Sequence, residues 1–217
     1  MASRARRSVP KARPKAARRK HYHHGDLRPA LIAATLRLIE EEGPENVTVR
    51  AAAKRAGVSS GAPFRHFPNR TALMTAVAEE ATARFVAEIA GAQAEIGGDD
   101  PLAHLFAIGM AYLRWAVRNP AHFQVVSTRS FIDYDGSQSL RRDNDAIRQQ
   151  MDDLLAEAQR RGLLHQADIV HIPLAARAMV YGLARMYADG HFAQWAVPGE
   201  TPEQAMRAVL ALFITGL

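Results

Sequence analysis

The stretch Thr48-Val-Arg-Ala-Ala-Ala-Lys-Arg-Ala-Gly-Val-Ser-Ser-Gly-Ala-Pro-Phe-Arg-His-Phe67 is the most informative part of the chain. The Thr48 hydroxyl can accept one of the backbone N–H groups left unpaired at a helix start, so it predicts the beginning of a short helix. A narrow apolar stripe follows at spacings of three and four, formed by Val49, Ala52, Ala53 and Ala56. Gly57 then stands where a tight turn needs a residue that tolerates positive φ. The pattern predicts two short helices around this turn, which is the helix-turn-helix arrangement.

The second helix of this pair begins with residues that suit contact with DNA. Ser59 and Ser60 are good cap residues, and their hydroxyl and amide groups form a natural seat for a phosphate. Gly61 and Ala62 are too small to hold the backbone away from a groove, and Pro63 fits the opening turn of a helix. In a helix-turn-helix, the second helix lies in the major groove and reads base edges with its N-terminal residues. The stretch therefore predicts DNA binding.

Further matches lie on both sides of the turn, and the segment from Gly25 to about Phe85 resembles the N-terminal domain of TetR-family transcriptional regulators. The resemblance rests on Thr48-Val-Arg50, Ala56-Gly-Val-Ser59, Gly61-Ala62, Arg65-His-Phe67 and Arg70-Thr-Ala-Leu73. Two positions depart from the family, because Phe64 stands where Tyr is usual and Arg70 stands where Lys is usual. The resemblance implies a helical homodimer that represses transcription until a small molecule binds its C-terminal domain.

The DNA-binding interpretation assigns two kinds of contact. The phosphate contacts fall to Thr48, Arg50, Ser59, Ser60, His66 and Arg70. The bases face Gly61, Ala62 and Pro63, with Arg50 as a further candidate, and the contact at Phe64 is altered because the Tyr hydroxyl is missing. The competing interpretation is an ordinary helical bundle, in which Phe64, His66 and Phe67 are core residues.

Charge is distributed unevenly along the chain. The formal net charge is +6, but residues 1–20 hold nine Lys or Arg and no acid, so the remainder has a net charge of −3. We expect residues 1–20 to be a disordered basic tail, which either lies along DNA or is simply solvated. The acidic excess lies in residues 71–217, and this asymmetry would orient the protein on DNA.

Composition excludes several classes of protein. The chain has no Cys, which removes disulfides and Cys-ligated zinc and fits a cytoplasmic protein. No apolar run is long enough to span a membrane. The sequence His21-Tyr-His-His24 is a poor metal site because its ligands are adjacent in the chain, so we predict no metal and no cofactor. Common phosphate-loop, serine-hydrolase and zinc-protease motifs are missing, which disfavours an enzyme.

The rest of the chain has helical periodicity, so the predicted fold class is all-α. We expect a three-helix DNA-binding domain in residues 21–90, a boundary within 91–100, and a helical effector-binding and dimerisation domain in 101–217. Three cap signals support this division: Asp100-Pro101, Asn119-Pro120 and Thr201-Pro-Glu-Gln204.

Two features of the C-terminal half suggest partners. The segment from Ile172 to Met186 mixes small and apolar residues, and the last helix has a broad apolar face, so both helices suit a dimer interface; internal packing is the alternative. Dimerisation is also favoured because two symmetric recognition helices read a palindrome about one DNA turn apart.

The candidate ligand-contacting residues are apolar, aromatic or cationic: Phe106, Met110, Leu113, Arg114, Trp115, Phe123, Met151, Leu155, Arg177 and Tyr181. Most such side chains fill cores, which is the alternative interpretation. The sequence around Asn119-Pro-Ala-His-Phe123 resembles one C-terminal subtype of the TetR family. We expect a bound effector to tilt the helix containing Leu73 to Ile89 and so weaken DNA binding; a DNA-binding protein without an effector remains the main rival.

Overall fold

The computed structural model describes residues 27–165, 169–195 and 198–217. Every regular element in these ranges is a helix, which confirms the all-α prediction. The α-helices are α1 (Leu27–Glu42), α2 (Val49–Arg55), α3 (Arg70–Ala94), α4 (Pro101–Arg118), α5 (Pro120–Val126), α6 (Gln138–Arg160), α7 (Ile172–Ala188) and α8 (Pro202–Thr215). The basic tail and His21–His24 lie outside the described residues. Among the helices described, none combines the length and apolarity needed to cross a membrane.

Side-chain caps begin five of the described α-helices, one of them Ser137 at the start of α6. Oxygen atoms of Thr48, Asn69 and Asp100 accept backbone N–H groups at the starts of α2, α3 and α4. Thr201 forms the predicted capping box with Gln204 at the start of α8. Asn119 differs from its prediction, because its side chain leaves α5 uncapped and instead donates to the Trp115 carbonyl at the end of α4.

The predicted second helix of the helix-turn-helix is a single 3-10 turn, Ala62–Arg65. Gly57 has a φ of 72°, as the tight turn requires. Neither Ser59 nor Ser60 caps the turn, which starts after Gly61. Pro63 lacks an N–H group, and its carbonyl accepts from the N–H groups of both His66 and Phe67, so the segment closes after one turn.

The head, formed by α1, α2, the 3-10 turn and the first half of α3, shares its core with later helices. Its buried residues include Leu31, Phe67 and Leu73, and they are joined by Ala121 and Val125 of α5. The assignment of residues 21–90 and 101–217 to separate domains stays a prediction, and in this structure the two parts meet through a continuous apolar contact.

The body is organised around α4, which packs against α3, α6, α7 and α8. A second core joins Phe85 of α3, Tyr112 and Trp115 of α4, and Val180 of α7. Gly109 of α4 packs closely against Leu210 of α8. A Cβ atom added to Gly109 would be only 2.7 Å from Leu210 Cδ2. The glycine thus permits the close approach of α4 and α8.

Replacing Gly109 by Val should destabilise the fold by about 1–3 kcal/mol, since Leu210 is buried and has little room to shift. Gly91 of α3 is the matched control, because a Cβ atom added there would meet nothing within 4 Å. The G91A variant should gain up to about 1 kcal/mol from the higher helix propensity of Ala. Urea unfolding measures both changes, and equal stability of G109V and the parent would contradict the packing.

Candidate DNA interface and effector cavity

The turn between α2 and α3 presents a small, polar and exposed surface. Ser59, Ser60 and Gly61 are exposed and Ala62 is half-buried. None of the N–H groups of Ser59, Ser60 and Gly61 is used in a hydrogen bond within the described chain. They are therefore available to a phosphate or a base edge. We refer to residues 59–66 as the recognition turn.

Three exposed cations lie in or shortly before the recognition turn along the chain. Arg50, predicted from the sequence, is exposed, and so are Lys54 and Arg65, which the site prediction left out. None of the three forms an ion pair with another described residue. Lys54 and Arg65 lie between Thr48 and Phe67, so the sequence already places them near the recognition turn. Unpaired cations at such positions favour contact with phosphates.

The other predicted DNA contacts differ in exposure. Thr48 and His66 are exposed, and Phe64 keeps 43% of its surface accessible. Pro63 is buried within the recognition turn, so its ring is not exposed for the expected contact with the bases. The exposed small surface consists of Gly61 and Ala62, with Phe64 beside it.

Arg70 is directed into the protein rather than towards solvent. Its Nε donates to the Val47 carbonyl at 2.9 Å and an Nη donates to the Pro44 carbonyl at 2.7 Å. The guanidinium also lies 5.0 Å from the centre of the Phe131 ring. Arg70 thus fastens the turn between α1 and α2 to the start of α3, which a phosphate contact alone does not require.

The R70K variant should lose about 2 kcal/mol of stability, because Lys keeps the charge but cannot make the forked pair of hydrogen bonds. If Arg70 acted only through its charge on phosphates, R70K would keep full stability and most of its DNA affinity. Urea unfolding without DNA separates these outcomes, with R65K as a control at an exposed cation.

Two adjoining chambers lie in the body. The apolar chamber has a volume of about 50 Å³ and is lined by α3, α4, α6, α7 and α8 through residues that include Ile108, Met151, Val180 and Phe213. The polar chamber has a volume of about 310 Å³, and its lining includes Ser127, Arg129, Asn144 and Tyr181. Phe85, Tyr112, Ile147 and Arg177 line both chambers.

Four of the ten predicted ligand contacts line these chambers: Trp115, Met151, Arg177 and Tyr181. The remaining six lie elsewhere: Phe106, Met110, Leu113, Arg114, Phe123 and Leu155. Arg114 donates to Glu203, and Arg207 lies over the Phe106 ring. Met110, Leu113, Phe123 and Leu155 are core residues. Many lining residues that were not predicted lie on helices, among them Phe85 and Ile147, whereas Arg129 comes from the segment between α5 and α6.

The wall between the chambers is aromatic. Tyr112 contacts Phe85 edge to face, and the Arg177 guanidinium lies 5.3 Å from the centre of the Tyr112 ring. Burial raises the pKa of Tyr112 to about 12, although the positive charge of Arg177 acts in the opposite direction. Tyr112 therefore keeps its hydroxyl proton at neutral pH.

Residues 127–137, between α5 and α6, contact both the polar chamber and the head. Ser127, Arg129, Ile132 and Tyr134 line the chamber. In the same segment the Asp133 N–H donates to Thr75 Oγ1 at 2.9 Å, and the Ser137 hydroxyl donates to Glu79 at 2.8 Å, both on α3. Phe131 is the ring beneath Arg70. We call residues 127–137 the linking segment.

The outer face of α7 and α8 is apolar and exposed in the single chain. Leu174 of α7 and Leu212 of α8 keep 68% and 75% of their surfaces accessible. Small exposed residues lie around them: Ala175, Ala178, Ala208 and Ala211. A contiguous apolar surface of this kind favours association with another protein surface.

His122 of α5 is buried, and its Nε2 has no hydrogen-bond partner in the described chain. Burial lowers its pKa, as does the charge of Arg84, against the opposing influence of Glu80 and Glu40. The imidazole is therefore kept neutral within the packing of α5 against the head.

Stability should fall as the pH is lowered through the ordinary His value of about 6.5. In that window the unfolded chain binds a proton at His122 that the folded protein resists, so protonation favours unfolding. The H122Q variant should lose less stability between about pH 8 and about pH 5 than the parent. Urea unfolding at several pH values tests this, and an identical pH dependence would exclude His122 as a contributor.

A short capped helix, a positive-φ glycine and an exposed polar turn, carried by an all-helical body, define a helix-turn-helix DNA-binding regulator. Residues 31–77 match the family model of bacterial regulatory proteins of the tetR family, and residues 105–213 match that of the tetracyclin repressor-like C-terminal domain. The chain belongs to the TetR family. A search among curated proteins finds no match.

Solved structures share the whole fold. A protein of unknown function from Rhodococcus sp. RHA1 is 27% identical with a TM-score of 0.74, over 91% of this chain and 98% of that one. The TetR-family regulator PfmR from Thermus thermophilus is 21% identical with a TM-score of 0.64, over 86% and 95%. FadR from Bacillus subtilis, solved with stearoyl-CoA, is 16% identical with a TM-score of 0.69, over 87% and 98%.

Proposed function

We propose that the protein is a dimeric repressor that binds a palindromic operator and is released by a small-molecule effector. One observation carries the proposal: the linking segment lines a cavity in the body and also contacts the head that presents the recognition turn. Regulation rather than catalysis is the proposed activity. The subtype suggested by Asn119-Pro-Ala-His-Phe123 remains part of this proposal.

DNA contact is assigned to the exposed residues of the head. Gly61, Ala62 and Phe64 face the bases, while the N–H groups of the recognition turn and nearby side chains hold phosphates. The proposed phosphate contacts are Thr48, Arg50, Lys54, Ser59, Ser60, Arg65 and His66. Arg70 serves mainly to hold the head in the geometry that makes these contacts.

The second protomer is proposed to cover the outer face of α7 and α8. That face is apolar, rich in small residues and exposed in the single chain. Pairing through it would give a two-fold arrangement in which two heads are held at a fixed separation. Two heads at the spacing of successive major grooves read the two halves of a palindrome.

The effector acts by preferring one head position over another. A ligand in the polar chamber contacts the linking segment, whose Asp133 N–H and Ser137 hydroxyl are bonded to Thr75 and Glu79 of α3. Movement of the segment would shift α3, and with it the separation of the two heads. FadR from Bacillus subtilis, a protein of the same fold, was solved with stearoyl-CoA, which supports a ligand-binding body but names no ligand for this chain.

The experiment measures DNA release directly. Fluorescence anisotropy of an operator fragment is followed while a panel of metabolites is added, and at least one compound should weaken binding. Linkage requires that DNA weaken binding of that compound by the same factor. The T75V variant loses the hydrogen bond from the Asp133 N–H. It should still bind DNA and the effector, but the effector should weaken its DNA binding less. The T71V variant, on the same helix, should keep the coupling of the parent. Operator binding that no compound alters would favour a repressor without an effector.

A further inference from the structure

We propose that the effector is a small organic anion, typically an aromatic or short-chain carboxylate, whose charge is held by Arg129 and Arg177. This inference rests on the proposed function, because it names the chemical class of ligand for the same cavity.

The charged residues that line the cavity are positive. Arg129 and Arg177 both line the polar chamber, and no Asp or Glu lines either chamber in the part of the chain that the structure describes. Neither guanidinium forms an ion pair with a described residue; Arg129 lies over the Tyr134 ring and Arg177 over the Tyr112 ring. Two cations facing a cavity without a counter-carboxylate favour an anionic ligand, which Arg can bind in bidentate fashion.

An unused hydrogen-bond donor provides a second observation. Trp115 is 3% exposed and lines the polar chamber, and its indole N–H has no partner among the described residues. A buried donor without a partner is rare in folded proteins and is commonly satisfied by a ligand or water. An acceptor oxygen of a bound carboxylate would satisfy it, whereas an ammonium group would not.

The size and walls of the two chambers limit the rest of the ligand. Phe85, Tyr112, Trp115 and Tyr181 give the polar chamber aromatic walls, which suit a planar or apolar body. The adjoining apolar chamber has a volume of about 50 Å³, room for a few heavy atoms when one water occupies about 10–15 Å³ on this measure. A short apolar arm therefore fits the apolar chamber, whereas a long acyl chain does not, and the body of the ligand lies in the larger polar chamber.

Three molecules of nearly equal shape test the charge directly: phenylacetate, phenylacetamide and phenethylamine. The chain has two Trp residues, Trp115 and Trp195. Tryptophan fluorescence of the W195F variant therefore comes from Trp115 alone and reports binding in the cavity. Phenylacetate should bind at least about tenfold more tightly than the amide, and the amine should bind least. Hexanoate and decanoate extend the series, and the shorter acid should bind more tightly.

Variants locate the charge recognition. R177Q and R129Q should each reduce phenylacetate affinity about tenfold and leave phenylacetamide affinity nearly unchanged. R148Q removes an exposed arginine of α6 that pairs with Asp152 outside the cavity and serves as the matched control. Equal binding of acid and amide, tighter binding of the amine, or no response to any acid at millimolar concentration would overturn the proposal. These titrations contain no DNA, so failure of operator binding would be recognised separately.

Discussion

Replacement of Ala62 by Glu should lower operator affinity at least about a hundredfold, because it places a carboxylate against the phosphates and bases that the recognition turn approaches. Ala62 is half-buried at the start of the 3-10 turn, beside three unused N–H groups. In a dimer the repulsion acts at both heads. Fluorescence anisotropy of an operator fragment measures the loss of affinity. The titration is repeated over a range of salt concentrations, because non-specific binding to DNA weakens steeply as salt rises.

The A94E variant is the matched control for A62E. Ala94 is exposed at the other end of α3, about 36 Å along the helix at 1.5 Å per residue. It introduces the same charge far from the recognition turn, so operator affinity should change little. Near-equal losses in A62E and A94E would mean that total charge, rather than the recognition turn, governs binding.

The double variant L174E/L212E should convert the proposed dimer into a folded monomer. Both side chains are largely exposed in the single chain, so the substitutions leave the core intact. In a symmetric dimer each substitution would bury one carboxylate from each protomer at the interface. We expect the dimer dissociation constant to rise at least about a hundredfold. Analytical ultracentrifugation measures this, and circular dichroism verifies that the helices persist.

Loss of the dimer should also weaken operator binding, because one recognition turn reads only half of the site. L163E is the control, since Leu163 is exposed beyond the end of α6 and belongs to neither α7 nor α8. A dimer that survives L174E/L212E would show that the protomers pair through another surface.

Local chemistry made much of the fold predictable. The caps at Thr48, Asn69, Asp100 and Thr201 depend on a side chain and an N–H group two or three residues away, so neighbouring sequence is sufficient to identify them. The positive φ of Gly57 follows from the same short-range geometry. Ser59 and Ser60 were expected to cap the second helix, but the 3-10 turn starts after Gly61 and both serines are exposed without capping it.

Features that depend on distant residues were not predictable in this way. Arg70 has the charge of a phosphate contact, yet its partners Pro44 and Val47 lie more than twenty residues earlier in the chain. Arg129 lines the polar chamber from a segment without periodicity, and burial of Pro63 depends on how the turn packs on the head. Tertiary packing, which local spacing does not specify, decides all three.

Sequence-specific recognition of DNA by the exposed turn is tested by selection of genomic fragments with the purified protein, followed by footprinting, with A62E carried in parallel. We expect a recurring inverted repeat with two protected halves about one DNA turn apart, and loss of that protection in A62E. Fragments retained no better than bulk DNA at any salt concentration, or an identical footprint from A62E, would show that the recognition turn does not read DNA.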